Sequence, residues 1–309
     1  MEIVKLFNAL PGACAQGLIW GIMAIGVYLT YKILDLADLT VDGTMCTGGA
    51  VCIVMMLNGH SVGLSLACAF IAGMLAGLET GVFHTALGIP AILSGILTQL
   101  GLYSINLRIM GNKANQAISV DKYDLLISLR YIKGVPFYQN TILIVALIIV
   151  ILIAVLYWFF GTELGCSIRS TGSNQNMSRA QGINTDFTKI LGLMLSNGIV
   201  AFASGLYAQY QGFADVNAGR GAIVIGLAAV IIGEVVFGKI SPNFAFKLLS
   251  VALGAIIYYL VLQIVLWLGL NSNDLKLLSA LVVAAFLALP YVKNKYFAKP
   301  VKKGGAHHA

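Results

Sequence analysis

The stretch Gly161 to Asp186, GTELGCSIRSTGSNQNMSRAQGINTD, is a polar island between two apolar runs. The runs are Thr141 to Phe160 and Phe187 to Tyr210, and each reaches the roughly 20 residues that a helix needs to cross a membrane. The island is rich in small and amide residues and contains two arginines, Arg169 and Arg179. A loop between two spans is either a tether or a docking surface, and the content of this island favours docking.

The segment Asn174 to Gly182 within the island predicts a short amphipathic helix. Asn174 is a preferred N-cap residue, and Gly182 suits the left-handed position that follows a helix C-terminus. Apolar residues at three-residue spacing share one side of this helix and polar residues lie on another: Met177, Ala180 and Ile183, and Gln175 and Arg179. A capped helix held between two spans can transmit force, whereas the alternative is a solvated loop that only joins the spans.

The composition of the chain indicates an integral membrane protein. Of the 309 residues, 59% are hydrophobic and only 10% are charged, whereas a soluble domain carries about 25% charged residues. We therefore expect an all-α polytopic membrane protein, with a single transmembrane domain over residues 1–309 and about nine spans. The candidate spans are the apolar runs of the sequence: 9–33, 44–57, 62–83, 89–105, 141–160, 187–210, 222–237, 248–268 and 275–291.

The segment LDLADLTVDG, residues 34–43, places three acids between the first two spans: Asp35, Asp38 and Asp42. The second apolar run, Thr44 to Leu57, is short for a full span. Together these features suggest a broken or re-entrant helix near residues 34–57. Irregular backbone at membrane depth is tolerated only where protein or a water-filled cavity surrounds it. Either this break lines a pathway, or the segment is an ordinary acidic loop at the membrane interface.

Other polar residues interrupt the later spans. Ser196, Asn197 and Ser204 lie in the sixth span, where they suit helix contacts or the wall of a pathway. Acids inside spans are rare and usually face the bundle interior. The resulting candidates for a pathway or a substrate site are Asp35, Asp38, Asp42, Asn197, Arg220 and Glu234. In the third span, glycines recur once per turn at 73, 77 and 81 and predict close packing against another helix.

The charge of the loops sets the expected topology. The tail, residues 292–309, is basic and is expected inside by the positive-inside rule. Counting back from it places the island, 161–186, in the cytoplasm, and the loops 211–221 and 107–140 outside. The basic content of 107–140 conflicts with that placement, but the inner loops agree with one another. Two alternating runs in this outer loop, 117–120 and 125–131, could pair as a small hairpin.

The run from Gly161 to Gly212 resembles the corresponding part of ABC-importer permeases of the branched-chain amino-acid family. The pattern there is a turn around Gly165 and Arg169, then a short helix, then Arg179-Ala180 and Gly182-Ile183-Asn184 before the next span. AIGVYLTYKILDLADLTVDGTMCTGGA, residues 24–50, extends the resemblance toward the N-terminus. In detail the sequence is most similar to the subgroup associated with tryptophan and tyrosine uptake.

This resemblance implies a multi-pass protein of the bacterial inner membrane that works as a dimer, most simply a homodimer. The island would contact a cytoplasmic ABC ATPase through a coupling helix over 173–182. An extracytoplasmic substrate-binding protein would deliver an aromatic amino acid; branched-chain amino acids, sugars and nucleosides are alternatives. The implied ATPase-coupling residues are Arg169, Asn174, Met177, Arg179, Ala180, Gly182 and Ile183.

The sequence contains no G-x-x-x-x-G-K-[ST] motif, so ATP and Mg²⁺ would belong to the partner ATPase, and this chain is expected to be a transport subunit without a cofactor. Arg220 departs from the family pattern. It could meet a substrate carboxylate or an acid of the binding protein, or it could anchor a loop at the membrane interface.

Two other classes of function compete with this interpretation. An ion-coupled secondary transporter would use intramembrane acids as coupling residues, and the candidates are Asp35, Asp38, Asp42, Glu79 and Glu234. Such a transporter does not need the island. A membrane enzyme would need a catalytic cluster with ligand or triad spacing, which the sequence does not offer.

Overall fold

A bundle of long helices makes up nearly all of the protein. The computed structural model describes residues 3–119, 123, 125–129, 140–238, 240–268, 277, 279–286 and 288. The elements, in chain order, are α1 Ile3–Tyr28, α2 Thr40–Leu57, α3 Val62–Thr85, α4 Ala91–Ile109, β1 Asn115–Ala117, α5 Thr141–Phe159, α6 Glu163–Ser173, α7 Gln175–Ala180, α8 Thr185–Gln211, β2 Phe213–Asp215, α9 Ala222–Phe237 and α10 Phe244–Trp267.

The length and hydropathy of these helices confirm a polytopic, all-helical membrane protein. Within the described ranges, six segments are long and apolar enough to cross a membrane: Ala9–Ile33, α2, α3, α5, α8 and α10. α9 is apolar but shorter. Part of the predicted ninth span, 275–291, is helical, while the rest of it and the tail 292–309 lie outside the described residues. The structure therefore confirms the class and leaves the count of nine spans as a prediction.

Helix α8 lies at the centre of the bundle because its neighbours approach it through glycine. A Cβ at Gly73 or Gly77 of α3 would overlap the backbone carbonyl of Asn197 or Leu193. On α2, a Cβ at Gly48 would overlap the carbonyl of Ala201. Small residues allow such backbone contact in a membrane, where van der Waals packing drives helix association. The glycine ladder of the third span is thus confirmed as a packing face.

The chain is irregular between α1 and α2, as the acidic segment predicted. α1 ends in a π-helical turn, Leu29–Ile33, and residues 34–39 are non-helical before α2 begins at Thr40. Asp38 hydrogen-bonds Asn197 in the middle of α8. The irregular backbone is therefore enclosed by the bundle, where surrounding protein can satisfy its polar groups.

Two short strands join the loops at one end of the bundle. β1 pairs antiparallel with β2, and Asn115 lies opposite Asp215. The sequence had suggested that the runs 117–120 and 125–131 could pair as a hairpin, and parts of both runs lie outside the described residues. Because β1 follows α4 and β2 follows α8, both strands reach the same end of the bundle, and a neighbour distant in sequence supplies the pairing. α6 and α7 precede α8 and lie at the opposite end.

Candidate functional site

The polar island folds as two helices rather than a turn and one helix. The sequence pattern placed a turn around Gly165 and Arg169, but both residues lie in α6. Thr162 caps α6 by accepting a hydrogen bond from the Gly165 amide at 3.4 Å. Gly165 and Gly172 have no side chain to clash where α6 touches the carbonyls of Phe159 and Ile33. These two contacts permit a continuous helix packed on the bundle.

The capped helix predicted between Asn174 and Gly182 is present as α7. The Asn174 side chain accepts a hydrogen bond from the Met177 amide at 3.0 Å, as an N-cap does. Gly182 has a φ of +82° and donates to the Arg179 carbonyl at 3.0 Å, and Ile183 donates to the Ser178 carbonyl at 3.0 Å. This pair of bonds is the Schellman arrangement that closes a helix C-terminus. Both ends of α7 are therefore satisfied within the chain.

Helix α7 turns its apolar residues outward. Ser178 is its buried residue, and the Ser178 and Ser170 hydroxyls lie 2.8 Å apart, which joins α7 to α6. Met177 is 50% exposed and Ala180 is exposed, while Ile183 is half-buried. A small polar contact thus holds the helix, and its apolar side chain projects away from the bundle.

The two arginines of the island hold its helices in place. The Arg179 Nε donates to Thr185 Oγ1 at 2.7 Å, and its guanidinium lies 3.4 Å from the Asp186 carboxylate. These contacts tie α7 to the first turn of α8. The Arg169 guanidinium lies over the Phe244 ring at 5.5 Å, which ties α6 to α10. Movement of the island would therefore reach two long helices directly.

A buried polar cluster surrounds the break before α2. Asp38 Oδ1 accepts from the Thr40 amide at 2.9 Å, and Asp38 Oδ2 accepts from Asn197 Nδ2 at 2.7 Å. Thr44 Oγ1 donates to Asn197 Oδ1 at 2.7 Å, and Asn197 Nδ2 also donates to the Leu193 carbonyl at 3.0 Å. Burying a carboxyl group is costly unless it is hydrogen-bonded, and here both oxygens have partners.

A chain of threonine hydroxyls extends this cluster across three helices. Thr40 Oγ1 lies 2.6 Å from Thr80 Oγ1, and Thr80 Oγ1 lies 2.9 Å from Thr98 Oγ1. Thr98 in turn donates to the Ser94 carbonyl at 3.1 Å. The chain links α2, α3 and α4 through buried hydroxyl groups, where a lost hydrogen bond is not readily replaced by water.

Asp42 caps a helix from outside that helix. Its Oδ2 accepts from the Gly221 amide at 2.9 Å and its Oδ1 from the Ile223 amide at 3.0 Å. These amides belong to the first turn of α9, whose free N–H groups and positive dipole end favour a carboxylate. In this first turn Ala222 is buried, whereas Gly221 and Ile223 are half-buried, so the N-terminus of α9 lies at the edge of the bundle.

A cavity of about 280 Å³ opens beside Asp42. It is lined by Asp42, Gly43 and Cys46 from α2, by Gln99, Leu100, Tyr103 and Asn106 from α4, and by Val216 and Arg220 from the loop before α9. Asn106 is fully buried, and neither atom of its amide has a hydrogen-bond partner in the described part of the chain. The cavity lies toward the end of the bundle that carries the strands.

The remaining predicted pathway residues lie elsewhere. Asp35 is exposed, with a φ of +53°. Glu234, at the other end of α9, forms an ion pair with Lys32 at 2.8 Å, close to the island. Asp42 and Arg220 share the cavity, and Asp38 and Asn197 share the buried cluster. The described residues contain no group of three or more His, Cys, Asp or Glu side chains arranged for a metal ion.

Sequence reasoning missed the polar face of α4. Gln99, Tyr103 and Asn106 follow one another at spacings of four and three residues, which places them on one side of a helix. Polar residues at this spacing in an otherwise apolar span were the available signal. Their meaning depends on α2 and the α8–α9 loop, which only the fold brings alongside.

Comparisons with known proteins show the family of the chain. Residues 11–289 match the family described as branched-chain amino acid transport system / permease component. The chain is 40% identical over 274 residues to the tyrosine transport system permease protein of Clostridioides difficile (strain R20291), and the match covers 88% of each chain. It is 35% identical over 294 residues to the uncharacterized protein RP368 of Rickettsia prowazekii (strain Madrid E), over 93% of this chain and 99% of that one.

Two more distant proteins are also similar to the chain. The autoinducer 2 import system permease protein LsrC of Yersinia pestis (strain Pestoides F) is 29% identical over 220 residues, which is 69% of this chain and 58% of that protein. A chain of PsaBC from Streptococcus pneumoniae in complex with Fab has a TM-score of 0.53 and 15% identity, over 95% of this chain and 100% of that chain; it shows the fold alone. The resemblance drawn from residues 161–212 is confirmed, including its closeness to tyrosine permeases. The chain is a multi-pass protein of the bacterial inner membrane, and it belongs to the family of permease components of branched-chain amino acid transport systems.

Proposed function

We propose that the chain is the membrane subunit of an ATP-driven ABC importer that carries an aromatic amino acid, tyrosine or tryptophan. The observation that carries the proposal is α7. Its ends are capped within the chain, it is tied to α8 through Arg179, and it exposes Met177. A rigid helix with an outward apolar side chain is suited to a groove on a partner protein.

In this proposal α7 transmits force between a separate ATPase and the bundle. The ATPase would bind ATP and Mg²⁺ and would hold the segment 173–182, including Met177 and Ala180, in a surface groove. Displacement of α7 would pull on α8 through Thr185 and on α10 through Arg169 and Phe244. Alternating access then requires only that the ATPase bind the two states of the bundle with different affinity.

Two further partners complete the proposed transporter. A second copy of the chain would form the other half of the translocation pathway, as the family resemblance implies. An extracytoplasmic binding protein would deliver substrate to the end of the bundle that carries β1 and β2. On this topology, the loop 107–140 lies outside, the island 161–186 lies in the cytoplasm, and the basic tail 292–309 lies at the inner surface of the membrane.

The substrate proposal rests on the similarity to the tyrosine permease of C. difficile, which is 40% identical over most of the chain. Branched-chain amino acids are the second candidate because the family description names them. An ion-coupled secondary transporter is disfavoured by the positions of its candidate coupling acids. Asp38 and Asp42 are engaged in structural hydrogen bonds, and Glu234 is paired with Lys32.

Co-purification with the ATPase tests the docking role of α7. The permease is expressed together with candidate ATPase and binding-protein subunits, and uptake of radiolabelled L-tyrosine is measured together with recovery of the ATPase. Met177→Asp places a charge in the proposed groove and is expected to reduce ATPase recovery about tenfold or more. Gly182→Ala strains the left-handed C-terminal turn and is expected to cause a smaller loss.

Leu129→Asp is the matched control, because Leu129 is also about half exposed and lies at the opposite end of the bundle. It is expected to leave ATPase recovery unchanged. Normal recovery and normal uptake in both island variants would contradict the docking role. Uptake of another substrate class, with tyrosine and tryptophan excluded, would replace the proposed substrate and leave the mechanism in place.

A further inference from the structure

Asn106 is an unsatisfied polar group in the wall of a cavity. Its side chain has 0% exposure, and neither its Oδ1 nor its Nδ2 is hydrogen-bonded in the described part of the chain. Buried side-chain amides in folded proteins almost always have a partner, and an exception needs an explanation. The adjoining cavity, at about 280 Å³, has room for a small organic ligand, close to the lower limit of typical ligand pockets.

Arg220 brings a guanidinium to the same cavity. Its side chain lines the cavity and takes part in no ion pair or side-chain hydrogen bond with the residues described. A guanidinium offers several N–H donors in a planar fork that matches a carboxylate. Arg220 is exposed, so its guanidinium is accessible to a molecule that enters the cavity.

Asp42 lies at the same cavity but is already committed. Each of its carboxylate oxygens accepts a backbone N–H from the first turn of α9. It therefore stays fixed beside the cavity and keeps a negative charge there. The lining thus offers free donors on Arg220 and Asn106, a free acceptor on Asn106 Oδ1, and a fixed negative charge on Asp42.

We propose that this cavity binds the α-carboxylate and α-ammonium groups of the transported amino acid on its way from the binding protein. This inference rests on the proposed import of an amino acid. Arg220 and Asn106 Nδ2 donate to the carboxylate, while Asn106 Oδ1 and the charge of Asp42 attract the ammonium group. Tyr103 and Leu100 form the apolar side of the cavity, which would accept the side chain of the substrate.

Uptake kinetics of Arg220 variants test the carboxylate contact. In cells that express the complete transporter, Arg220→Gln is expected to raise the KM for L-tyrosine about tenfold, because a charge-assisted hydrogen bond is lost. Arg220→Lys should recover part of that loss. Arg108→Gln is the matched control, since Arg108 is exposed near the same end of α4 but does not line the cavity, and its KM should equal that of the wild type.

Asn106→Leu separates a ligand contact from a structural one. An amide without a hydrogen-bond partner does not stabilise the fold. Replacing it with an apolar side chain of similar shape should therefore leave the melting temperature the same or raise it. The KM for L-tyrosine should nevertheless rise several-fold. A lower melting temperature would mean that the amide is satisfied structurally in the assembled protein and would overturn the proposal, as would an unchanged KM.

Chemical labelling distinguishes a substrate carboxylate from an acidic side chain of the binding protein. Tyr103→Cys is placed in a transport-competent background without the native cysteines and is reacted with a maleimide in detergent, with no binding protein present. L-tyrosine near its solubility limit should slow the labelling, whereas tyramine, which lacks the carboxylate, should not. Protection by the binding protein alone, or equal protection by tyramine, would overturn the proposal.

Different results would contradict the proposed function and the proposed substrate site. If the wild-type complex imports no aromatic amino acid, the proposed function is wrong, whatever the variants do. If the wild type imports L-tyrosine while Arg220→Gln and Asn106→Leu import it with unchanged KM, the importer stands and the cavity is not its substrate site.

Discussion

Asn197 and Asn106 are two asparagines with the same burial and opposite surroundings. Both side chains have 0% exposure. Asn197 bonds Asp38, Thr44 and the Leu193 carbonyl, and its amide oxygen and nitrogen are both used. Asn106 has no such partner among the described residues and faces a cavity. One amide is part of the framework of the bundle, and the other lies without a partner in the wall of a cavity.

The contrast extends to the acids beside each asparagine. Asp38 is enclosed and accepts from one side chain and one backbone amide. Asp42, four residues later, accepts from two backbone amides of α9 and still borders open space. A single segment of chain therefore supplies one acid that is hydrogen-bonded inside the bundle and another that caps a helix N-terminus beside a cavity. An acid within a membrane protein is thus not by itself evidence of a pathway.

The largest expected effect comes from the same substitution at the two asparagines. Asn197→Leu leaves a buried carboxyl oxygen of Asp38 and the Thr44 hydroxyl without partners, which is expected to cost about 2 to 3 kcal/mol of unfolding free energy. Asn106→Leu is expected to cost nothing. Unfolding of both variants by denaturing detergent in mixed micelles measures the difference. Equal losses at the two positions would remove the distinction between framework and site.

Asp42→Ala tests the cap on α9 and has an intermediate expected effect. Two N–H groups of the first turn lose their acceptor, so the free energy of unfolding should fall by about 1 to 2 kcal/mol. Asp42→Asn keeps one acceptor oxygen and should lose less. Thermal melting of the purified permease should rank the wild type, Asp42→Asn and Asp42→Ala in order of decreasing stability. If Asp42→Ala melts with the wild type, the carboxylate is not holding the helix, and a direct role for Asp42 in substrate binding becomes the better explanation.

Much of the framework was predictable from local sequence. The spans follow from runs of apolar residues, and the ends of α7 follow from Asn174 and Gly182, because caps are chosen by neighbours within a few residues. The glycine ladder at 73, 77 and 81 predicted a tight helix contact, but it did not predict which helix would be the partner. The acidic segment 34–43 indicated irregular backbone, which is present at 34–39, whereas α2 already begins at Thr40.

The features that were missed depend on residues far apart in sequence. The family pattern indicated a turn around Gly165 and Arg169, but both residues lie in α6, where Gly165 and Gly172 allow backbone contact with other parts of the bundle. The partner of β1 lies about a hundred residues away. Asn106 carries no signal of its own, since its lack of partners is a property of the assembled fold.

Helix α4 offers the smallest and most closely matched test of the comparison, because it carries both kinds of polar residue. Thr98 is buried and accepts from Thr80 at 2.9 Å while donating to the Ser94 carbonyl. Thr98→Val keeps the shape and removes the hydroxyl, so Thr80 loses an acceptor. Interhelical hydrogen bonds of this kind are worth about 0.6 kcal/mol in a membrane protein, and a loss of that size is expected, with L-tyrosine uptake unchanged.

Asn106→Leu, two turns further along α4, should behave in the opposite way, with stability retained and uptake weakened. The detergent-unfolding and uptake measurements described above report on both variants. If Thr98→Val impairs uptake while keeping its stability, the threonine chain belongs to the pathway, and hydrogen-bond saturation does not separate framework from site. If instead Thr98→Val loses stability and keeps its uptake, while Asn106→Leu keeps its stability and loses uptake, the functional face of α4 lies beyond Gln99, on the side of the cavity.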